Sequence, residues 1–428
     1  MIAGQATAYD PKRVERLRDY LLSLAHPADS ATSGQDLFFQ HQADLSSVTP
    51  LELLELFHGQ LESGQTPEQI FQYLDKVIHA VGHALRGQAL LQPAPGTFLH
   101  LLSAENQALE QRLGTIRSQL LAWKEGLSGH RMELRAAVQD LSQITSHYEK
   151  IQNILFPLLE QKQERFHGLA IMWALHDYAR STIKQTLADL ESPQVSDQTI
   201  RVDLGQLFFA LQGLVNKEQW ILFPLAAELF TAPEWRDMLA QARDYEPAFL
   251  PRDLYQAYFT DFTSGDCLAE QGQTTPELPG FPSASSFAAA TSATFLETPT
   301  GTLTARQAAA LFNALPVDLS FVAADNKVAY FTRPKDRIFP RSPAVIGRDV
   351  DRCHPPASVH VVEKIITEFR EGRRESARFW IDHKGRKILI EYFAVRDEAG
   401  DYLGVLEVSQ DITEIQQLSG QQRLLDWE

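Results

Sequence analysis

Three histidines and two glutamates are spaced along one helical stretch of the chain in a way that could hold a metal ion. They are His100, Glu105, His147, His176 and Glu218. Imidazole nitrogens and carboxylate oxygens suit iron, and a carboxylate can bridge two metal ions. The chain has only two cysteines, Cys267 and Cys353, which lie far apart and provide neither a disulfide framework nor a thiolate zinc site. Any metal site would therefore depend on histidines and carboxylates.

Four amphipathic helices must position these side chains. Apolar residues at three- and four-residue spacings predict helices over residues 97–125, 129–162, 167–191 and 202–230. The connections between them are short and polar or contain proline. This layout predicts an antiparallel four-helix bundle, which we expect to extend over residues 97–262.

A repeated segment marks two of these helices. Residues 152–158 read Gln-Asn-Ile-Leu-Phe-Pro-Leu, and residues 219–225 read Gln-Trp-Ile-Leu-Phe-Pro-Leu. Proline lacks a backbone N–H and clashes with the preceding helical turn. The repeat therefore predicts core packing followed by a helix break at each proline.

The region before the bundle is also helical. Thr49 and Thr66 are each followed by proline and then by an acidic residue, which is a typical helix start. Residues 91–96 contain two prolines and a glycine and predict a domain boundary. We expect a small helical domain of unknown function over residues 1–90.

Two further histidines lie four residues apart in this N-terminal region. His79 and His83 share a helix face, and Asp75 lies one turn earlier. Such a pair could clamp a cation. Because no third ligand follows at a fixed spacing, a surface or core role is favoured.

The pattern changes in the last third of the chain. Residues 263–303 are rich in proline, glycine, alanine and serine and predict a flexible linker. Five short apolar segments then alternate with turns and surround one helix near residues 360–370. These segments predict an α+β domain with a five-stranded antiparallel sheet over residues 304–420, followed by a short tail at 421–428. The fold class is thus multidomain: all-α at first, then α+β.

The bundle resembles the hemerythrin-like family, whose members carry histidine and carboxylate ligands on four helices and Leu-Phe-Pro after the second and fourth ligand clusters. The resemblance implies iron, with His100 as the ligand on the first helix. It implies His147, nine residues before Phe156, on the second helix. It also implies His176 on the third helix and Glu218 on the fourth.

Three positions depart from that family pattern. Gln152 and Gln219 stand where carboxylates are expected, and Leu214 stands where many members have another histidine. A neutral amide is a poor iron ligand and does not bridge two ions. Asp177 and Glu149 are the nearest substitutes. Three interpretations stay open: an intact dinuclear iron site, a mononuclear or partial site, and a bundle without metal.

Residues 305–420 resemble a PAS domain, which ends in an Asp-Ile-Thr motif, here at positions 411–413. A PAS fold surrounds a cavity that holds haem, flavin, a small metabolite or nothing. Cys353, His354 and His360 lie near this expected cavity and could ligate haem. The favoured alternative is that Cys353 is a buried packing residue.

The N-terminal helices and the string Cys-His-Pro-Pro-Ala-Ser-Val-His at residues 353–360 resemble a bacterial family of unknown function, number 438. In that family a helical N-terminal part, a hemerythrin-like bundle and a PAS domain occur together in this order. The resemblance covers nearly the whole chain except the first thirty residues and the linker.

Charge and composition restrict the partners. The formal net charge of -16 argues against a nucleic-acid surface, which needs clustered lysine and arginine. No apolar run reaches the roughly 18 residues that span a bilayer, and no secretory signal is present, so we expect a cytoplasmic protein without a membrane partner.

No phosphate loop, nucleophile elbow or kinase motif is present, which predicts that the chain is not an enzyme. The expected function is that of a sensor or regulatory protein, whose iron site responds to oxygen, nitric oxide or redox state. It would signal through a regulatory protein partner or through self-association, as a homodimer, of the PAS domain and tail. The alternatives are a non-haem iron enzyme or iron-handling protein, and a haem-binding or metal-free scaffold.

Overall fold

The computed structural model of the chain consists of two compact units, Met1–Leu268 and Ala269–Glu428. It describes residues 5–25, 34–88, 93–123, 126–127, 129–162, 164–260, 294–298 and 300–421.

The first unit begins with four helices. They are α1 (Pro11–Ala25), α2 (Gly34–Leu45), α3 (Pro50–Glu62) and α4 (Pro67–Gln88). Thr49 caps α3 as the sequence predicts. Its hydroxyl accepts the Glu52 N–H at 3.2 Å, and the Glu52 carboxylate accepts the Thr49 N–H at 3.0 Å, which satisfies two otherwise unpaired helix donors.

Four longer helical segments follow, as predicted. The first is α5 (Phe98–Ala122), and the second consists of α6 (Arg131–Leu141), α7 (Ile144–Lys150), a π-helical segment (Ile151–Leu155) and α8 (Phe156–Lys162). A 3₁₀ segment (Glu164–Leu169) leads to α9 (Ala170–Glu191). The fourth consists of α10 (Asp197–Lys217), a second π-helical segment (Glu218–Leu222) and α11 (Phe223–Leu229), and α12 (Ala232–Ala242) and α13 (Arg252–Ala257) complete the unit.

Each π-helical segment ends at the leucine of a Leu-Phe-Pro sequence, and the following α-helix begins at the phenylalanine. The Phe156 N–H donates to the Ile151 carbonyl and the Phe223 N–H to the Glu218 carbonyl, so both bonds span five residues. Proline has no backbone N–H to donate, and its ring crowds the carbonyl group of the preceding helical turn. The wider π-helical turn provides room for that ring. The predicted helix break is therefore wrong, because both helices continue through the proline as α8 and α11.

One hydrophobic core runs through the N-terminal helices and the bundle. Val14 and Leu53 belong to the same buried cluster as Leu102 and Phe156. The two layers approach closely at Gly168, where a β-carbon would lie 2.9 Å from the Leu54 carbonyl oxygen. The sequence pattern at residues 91–96 thus does not separate two cores.

The second unit begins with a β-hairpin that the sequence analysis assigned to the linker. Strands β1 (Thr294–Thr298) and β2 (Gly301–Thr304) pair antiparallel and lead into α14 (Ala305–Ala314). Residues 263–293 of the predicted linker lie outside the described residues.

The five-stranded antiparallel sheet is confirmed. Its strands are β3 (Asp318–Ala323), β4 (Val328–Phe331), β5 (Ser376–His383), β6 (Arg386–Arg396) and β7 (Tyr402–Asp411), in the order β4-β3-β7-β6-β5, and α15 (Pro356–Arg370) lies between β4 and β5 in the chain. The Asp-Ile-Thr motif ties the ends of two strands together. The Thr413 hydroxyl donates to Asp411 at 2.6 Å and accepts the Lys387 N–H at 2.8 Å.

Replacing Gly404 in β7 by alanine is expected to destabilise the second unit by about 2 to 4 kcal/mol. Gly404 has a φ of 148°, and a β-carbon there would overlap the Val322 carbonyl oxygen of the neighbouring strand. Thermal unfolding of the full chain, with hydrogen exchange of β3 and β7, measures the loss. Gly400→Ala is the matched control, because Gly400 also has positive φ but no atom near its added carbon. Equal losses for both variants would contradict the steric argument.

Candidate metal centre

Four helical segments bring two glutamates and two histidines together in the core of the bundle. His147 on α7 lies between two carboxylates, with Nδ1 2.8 Å from Glu105 Oε2 and Nε2 3.0 Å from Glu218 Oε2. His176 on α9 turns its Nε2 toward Glu218 Oε1 at 3.7 Å. All four side chains are buried. Glu105, His147, His176 and Glu218 were each predicted from the sequence, and the structure brings them together.

A buried lysine completes the charges of this cluster. The Lys150 ammonium, one turn after His147, donates to Glu105 Oε1 at 2.8 Å and to the Glu246 carbonyl oxygen at 2.9 Å. The Ala248 N–H also donates to Glu105 Oε1, at 3.0 Å. Burial would raise the pKa of Glu105, but Lys150 and His147 outweigh it and keep that pKa below its usual value. Glu105 is therefore a carboxylate held by a permanent ion pair.

The two histidines differ in charge because their surroundings differ. Burial disfavours the imidazolium of His147, but Glu218 and Glu105 outweigh burial and raise its pKa to about 9. Burial lowers the pKa of His176 to about 4. The pKa of Glu218 falls to about 2, since His147 outweighs its desolvation. At neutral pH two carboxylates thus balance one imidazolium and the Lys150 ammonium.

Gln152 orients the second histidine. Its Nε2 lies 3.0 Å from His176 Nδ1, and its Oε1 accepts the Arg180 guanidinium at 2.9 Å. The Tyr148 ring stacks on the imidazole of His176 at a centroid distance of 4.0 Å. Gln152, which stands where a carboxylate ligand was expected, therefore contacts the far nitrogen of a candidate ligand.

Buried polar atoms without hydrogen-bond partners surround this point in the described part of the chain. His176 Nε2 and Glu218 Oε1 face each other beyond hydrogen-bond distance, and neither has another partner. The Tyr148 hydroxyl is likewise buried and unpaired. Since most buried polar groups in native proteins are satisfied, atoms left open in one place indicate a site for something else.

The cavity between the sheet and α15 of the second unit is much smaller than a cofactor pocket. It has a volume of about 30 Å³ and is lined by His354, Tyr392 and Glu407 together with apolar residues of the sheet and α15. A water molecule takes up about this volume, whereas ligand pockets measure roughly 300–1,000 Å³. A haem group would not fit in this cavity. His360 is exposed, and Cys353 packs against the apolar core with its thiol donating to the Asp349 carbonyl at 3.6 Å.

Comparison with known protein families assigns both parts of the chain. The family described as hemerythrin HHE cation binding domain matches residues 97–226, and the family described as PAS domain matches residues 309–413. Residues 97–226 are a hemerythrin HHE domain, and residues 309–413 are a PAS domain.

Solved structures resemble parts of the chain. A C-terminal domain from Streptococcus mutans is 34% identical over 29% of this chain and 96% of its own, with a TM-score of 0.28. A PAS domain from Colwellia psychrerythraea is 16% identical over 26% of this chain and 97% of its own, with a TM-score of 0.20. The sensor region of a sensor histidine kinase is 17% identical over 23% of this chain and 40% of its own, with a TM-score of 0.17. Comparison with curated proteins finds no match.

The described residues of the HHE domain provide only part of a metal site. Within the described residues no group of three His, Cys, Asp or Glu side chains stands open for a cation, since His147 and Glu218 bond each other directly. The open His176 and Glu218 atoms nevertheless provide a nitrogen and an oxygen donor. A second ion would need Glu105, which Lys150 already neutralises.

His100 does not join this cluster. Its Nδ1 lies 2.9 Å from the Tyr258 hydroxyl, at the end of α13. Leu214 is buried, Gln219 is partly buried, and Asp177 pairs with Arg180 at 2.9 Å. The residue of the first bundle helix that contacts this cluster is Glu105, five residues further along α5.

Sequence reasoning missed two residues of the site. The sequence analysis did not consider Lys150, although it follows His147 by three positions on the same helix and is fully buried. Asn106, next to Glu105, donates to Glu218 Oε2 at 2.7 Å. The position of Lys150 on an otherwise apolar and histidine-bearing helix face is the signal that could have identified it.

None of the helices in the described residues is sufficiently long and apolar to span a bilayer.

Proposed function

We propose that this protein is a sensor whose HHE domain binds a single metal ion, iron, through His147 Nε2, His176 Nε2 and the Glu218 carboxylate. The ion would replace the proton that lies between His147 Nε2 and Glu218 Oε2 in the metal-free bundle. The pairing of an HHE domain with a PAS domain favours a sensory protein. Two imidazoles and one carboxylate form a ligand set that suits Fe(II) and leaves positions for a small ligand such as oxygen or nitric oxide.

The facing pair of unpaired atoms, His176 Nε2 and Glu218 Oε1, carries this proposal. Both are buried, and within the described residues neither has a hydrogen-bond partner. A metal-binding histidine usually bonds a neighbour through its other ring nitrogen. His147 satisfies that pattern, because its Nδ1 can donate to the Glu105 carboxylate. At His176 the Gln152 amide nitrogen contacts Nδ1, so binding of a metal at Nε2 would require the amide to turn its oxygen toward Nδ1.

The surrounding residues are suited to hold a small ligand away from water. Phe156 is fully buried, and its ring is parallel to the imidazole of His176 at a centroid distance of 6.1 Å, so it shields the site from bulk solvent. The buried Tyr148 hydroxyl has no hydrogen-bond partner among the described residues and is free to donate to a ligand at the site. Burial, followed by the charge of Glu218, raises the pKa of Tyr148 well above its usual value. This hydroxyl therefore keeps its proton at neutral pH.

We further propose that the protein is not an enzyme and that the PAS domain transmits the state of the HHE domain to a regulatory protein partner or to a second copy of the chain. The small PAS cavity supports a role in contacts rather than in cofactor binding. Residues 422–428, part of the tail that the sequence analysis assigned to self-association, lie outside the described residues.

Iron analysis and the absorption spectrum of the full-length protein, purified from iron-supplied cells, test the metal site. We expect a single iron per chain and no bands of an oxo-bridged diiron centre. His176→Gln should lose the iron, since it removes one of three ligands. His100→Gln is the matched control and should retain it, because His100 contacts Tyr258 instead.

Each alternative gives a different result. Two irons per chain would refute the mononuclear site, and iron retained by His176→Gln would refute the ligand assignment. A protein without iron would refute the metal sensor and favour the scaffold interpretation.

A further inference from the structure

The first unit contains a second candidate site, in a cleft where α4 meets α5 and α10. The cleft has a volume of about 480 Å³, which falls within the usual range for a small-molecule pocket. It includes His79, which the sequence analysis assigned to a surface or core role. The residues that bear on its chemistry are Asp75, Arg86, Arg117, Phe208, Lys217 and Trp220.

Two arginines at this cleft have no carboxylate partner within the described residues. Arg86 extends from α4 and Arg117 from α5, and both are exposed. The chain carries a formal net charge of -16, so carboxylates are abundant elsewhere on its surface. Two unpaired guanidinium groups beside one cleft therefore indicate an anionic ligand, since guanidinium binds carboxylate and phosphate in a bidentate manner.

Lys217 adds a third positive charge from inside the protein. It is buried, and its ammonium contacts Asp75 Oδ1 at 3.3 Å and the Gly213 carbonyl at 3.4 Å. Both distances are long for an ammonium, which has three protons to donate. Asp75 is the single carboxylate among the described lining residues, so the cleft keeps an excess of positive charge.

Aromatic rings form the other part of the lining. Trp220 and Phe208 are partly exposed in the cleft, and the Arg86 guanidinium lies 4.8 Å from the centroid of the Trp220 ring. Indole and phenyl faces stack on flat ligands, and an arginine held over a ring can stack in the same way. The cleft thus combines a surface for a flat ring with donors for an anion.

We infer that this cleft binds a small organic anion in which a phosphate or carboxylate is attached to a flat aromatic ring. The anionic group would lie between Arg86, Arg117 and Lys217. The ring would lie against Trp220 and Phe208. This binding does not depend on the metal site, because none of its ligands lines the cleft.

Isothermal titration calorimetry on the metal-free full-length protein tests the inference. The probes are 1-naphthyl phosphate and 1-naphthoate, compared with 1-naphthol, inorganic phosphate and acetate, which carry the ring or the anion alone. We expect one of the two complete probes to bind at least about tenfold more tightly than either of its fragments, because both parts of the cleft are then used. The stronger of the two identifies the preferred anion.

Charge-removing variants locate the binding. Arg86→Gln and Arg117→Gln should each weaken binding about tenfold or more, the loss expected for a charge-assisted hydrogen bond. Lys184→Gln is the control, since it removes an exposed charge from α9 outside the cleft. All three substitutions are at exposed positions, and circular dichroism verifies the fold. Equal affinity for probes and fragments, absence of binding, or unchanged binding in both arginine variants would overturn the inference.

Discussion

Replacing Lys150 by methionine is expected to destabilise the metal-free protein by about 3 to 5 kcal/mol, because removing one partner of a buried ion pair leaves an uncompensated charge. Lys150 and Glu105 are both fully buried and 2.8 Å apart. Methionine has a similar length and volume, so loss of packing contributes little. The measurement is urea or thermal unfolding of the full-length protein, with the transition of the first unit monitored by hydrogen exchange in α5 and α7.

A double-mutant cycle separates the ion pair from other effects. Adding Glu105→Gln to Lys150→Met should recover part of the loss, because the neutral amide no longer needs a counter-charge. Lys184→Met, on the exposed face of α9, is the matched control and should change stability by less than about 0.5 kcal/mol. If Lys150→Met unfolded like the unchanged protein, the balance of charges described for the bundle would be incorrect.

Gln152→Leu is expected to weaken iron binding about 10- to 100-fold, the usual effect of removing a residue that orients a metal ligand. Leucine cannot bond His176 Nδ1 and leaves the Arg180 guanidinium without the Gln152 oxygen. Gln152→Glu should act in the opposite direction. A carboxylate would accept a hydrogen bond from His176 Nδ1–H and pair with Arg180, which makes Nε2 a stronger ligand for the metal.

Competition of the metal-loaded protein with a chelator of known affinity measures both effects. Gln219→Leu provides the control, because Gln219 occupies the corresponding position of the second repeat but is partly exposed and outside the histidine cluster. This prediction assumes the proposed metal site. If Gln152→Leu and Gln219→Leu bound iron equally well, Gln152 would have no orienting role.

Much of the fold could be predicted from local patterns. The three- and four-residue spacing of apolar residues defined the four bundle segments, and the alternating segments defined the five strands, because each pattern reflects which face of an element is buried. The cap at Thr49 follows from two residues three positions apart. The positions of His147, His176 and Glu218 followed from the resemblance to a known family.

Contacts between distant segments were beyond such patterns. The pairing of Lys150 with Glu105 joins residues 45 positions apart, and the contact of His100 with Tyr258 joins residues 158 apart. Neither has a local signature, so the sequence analysis included neither the role of Lys150 nor the contact of His100 with Tyr258. The shared core of the N-terminal helices and the bundle also depends on packing between elements. The resemblance to family 438 stays a prediction.

The two π-helical segments determine which changes of length their helices tolerate. An α-helix turns by about 100° per residue, so one additional residue in a wide turn changes the phase of everything that follows it. His147 precedes one such turn in the sequence and Phe156 follows it, and both side chains are buried. A deletion of one residue there would return the helix to an ordinary pitch and rotate one of the two out of the core. Single-residue deletions should therefore be among the least tolerated changes at residues 151–155 and 218–222.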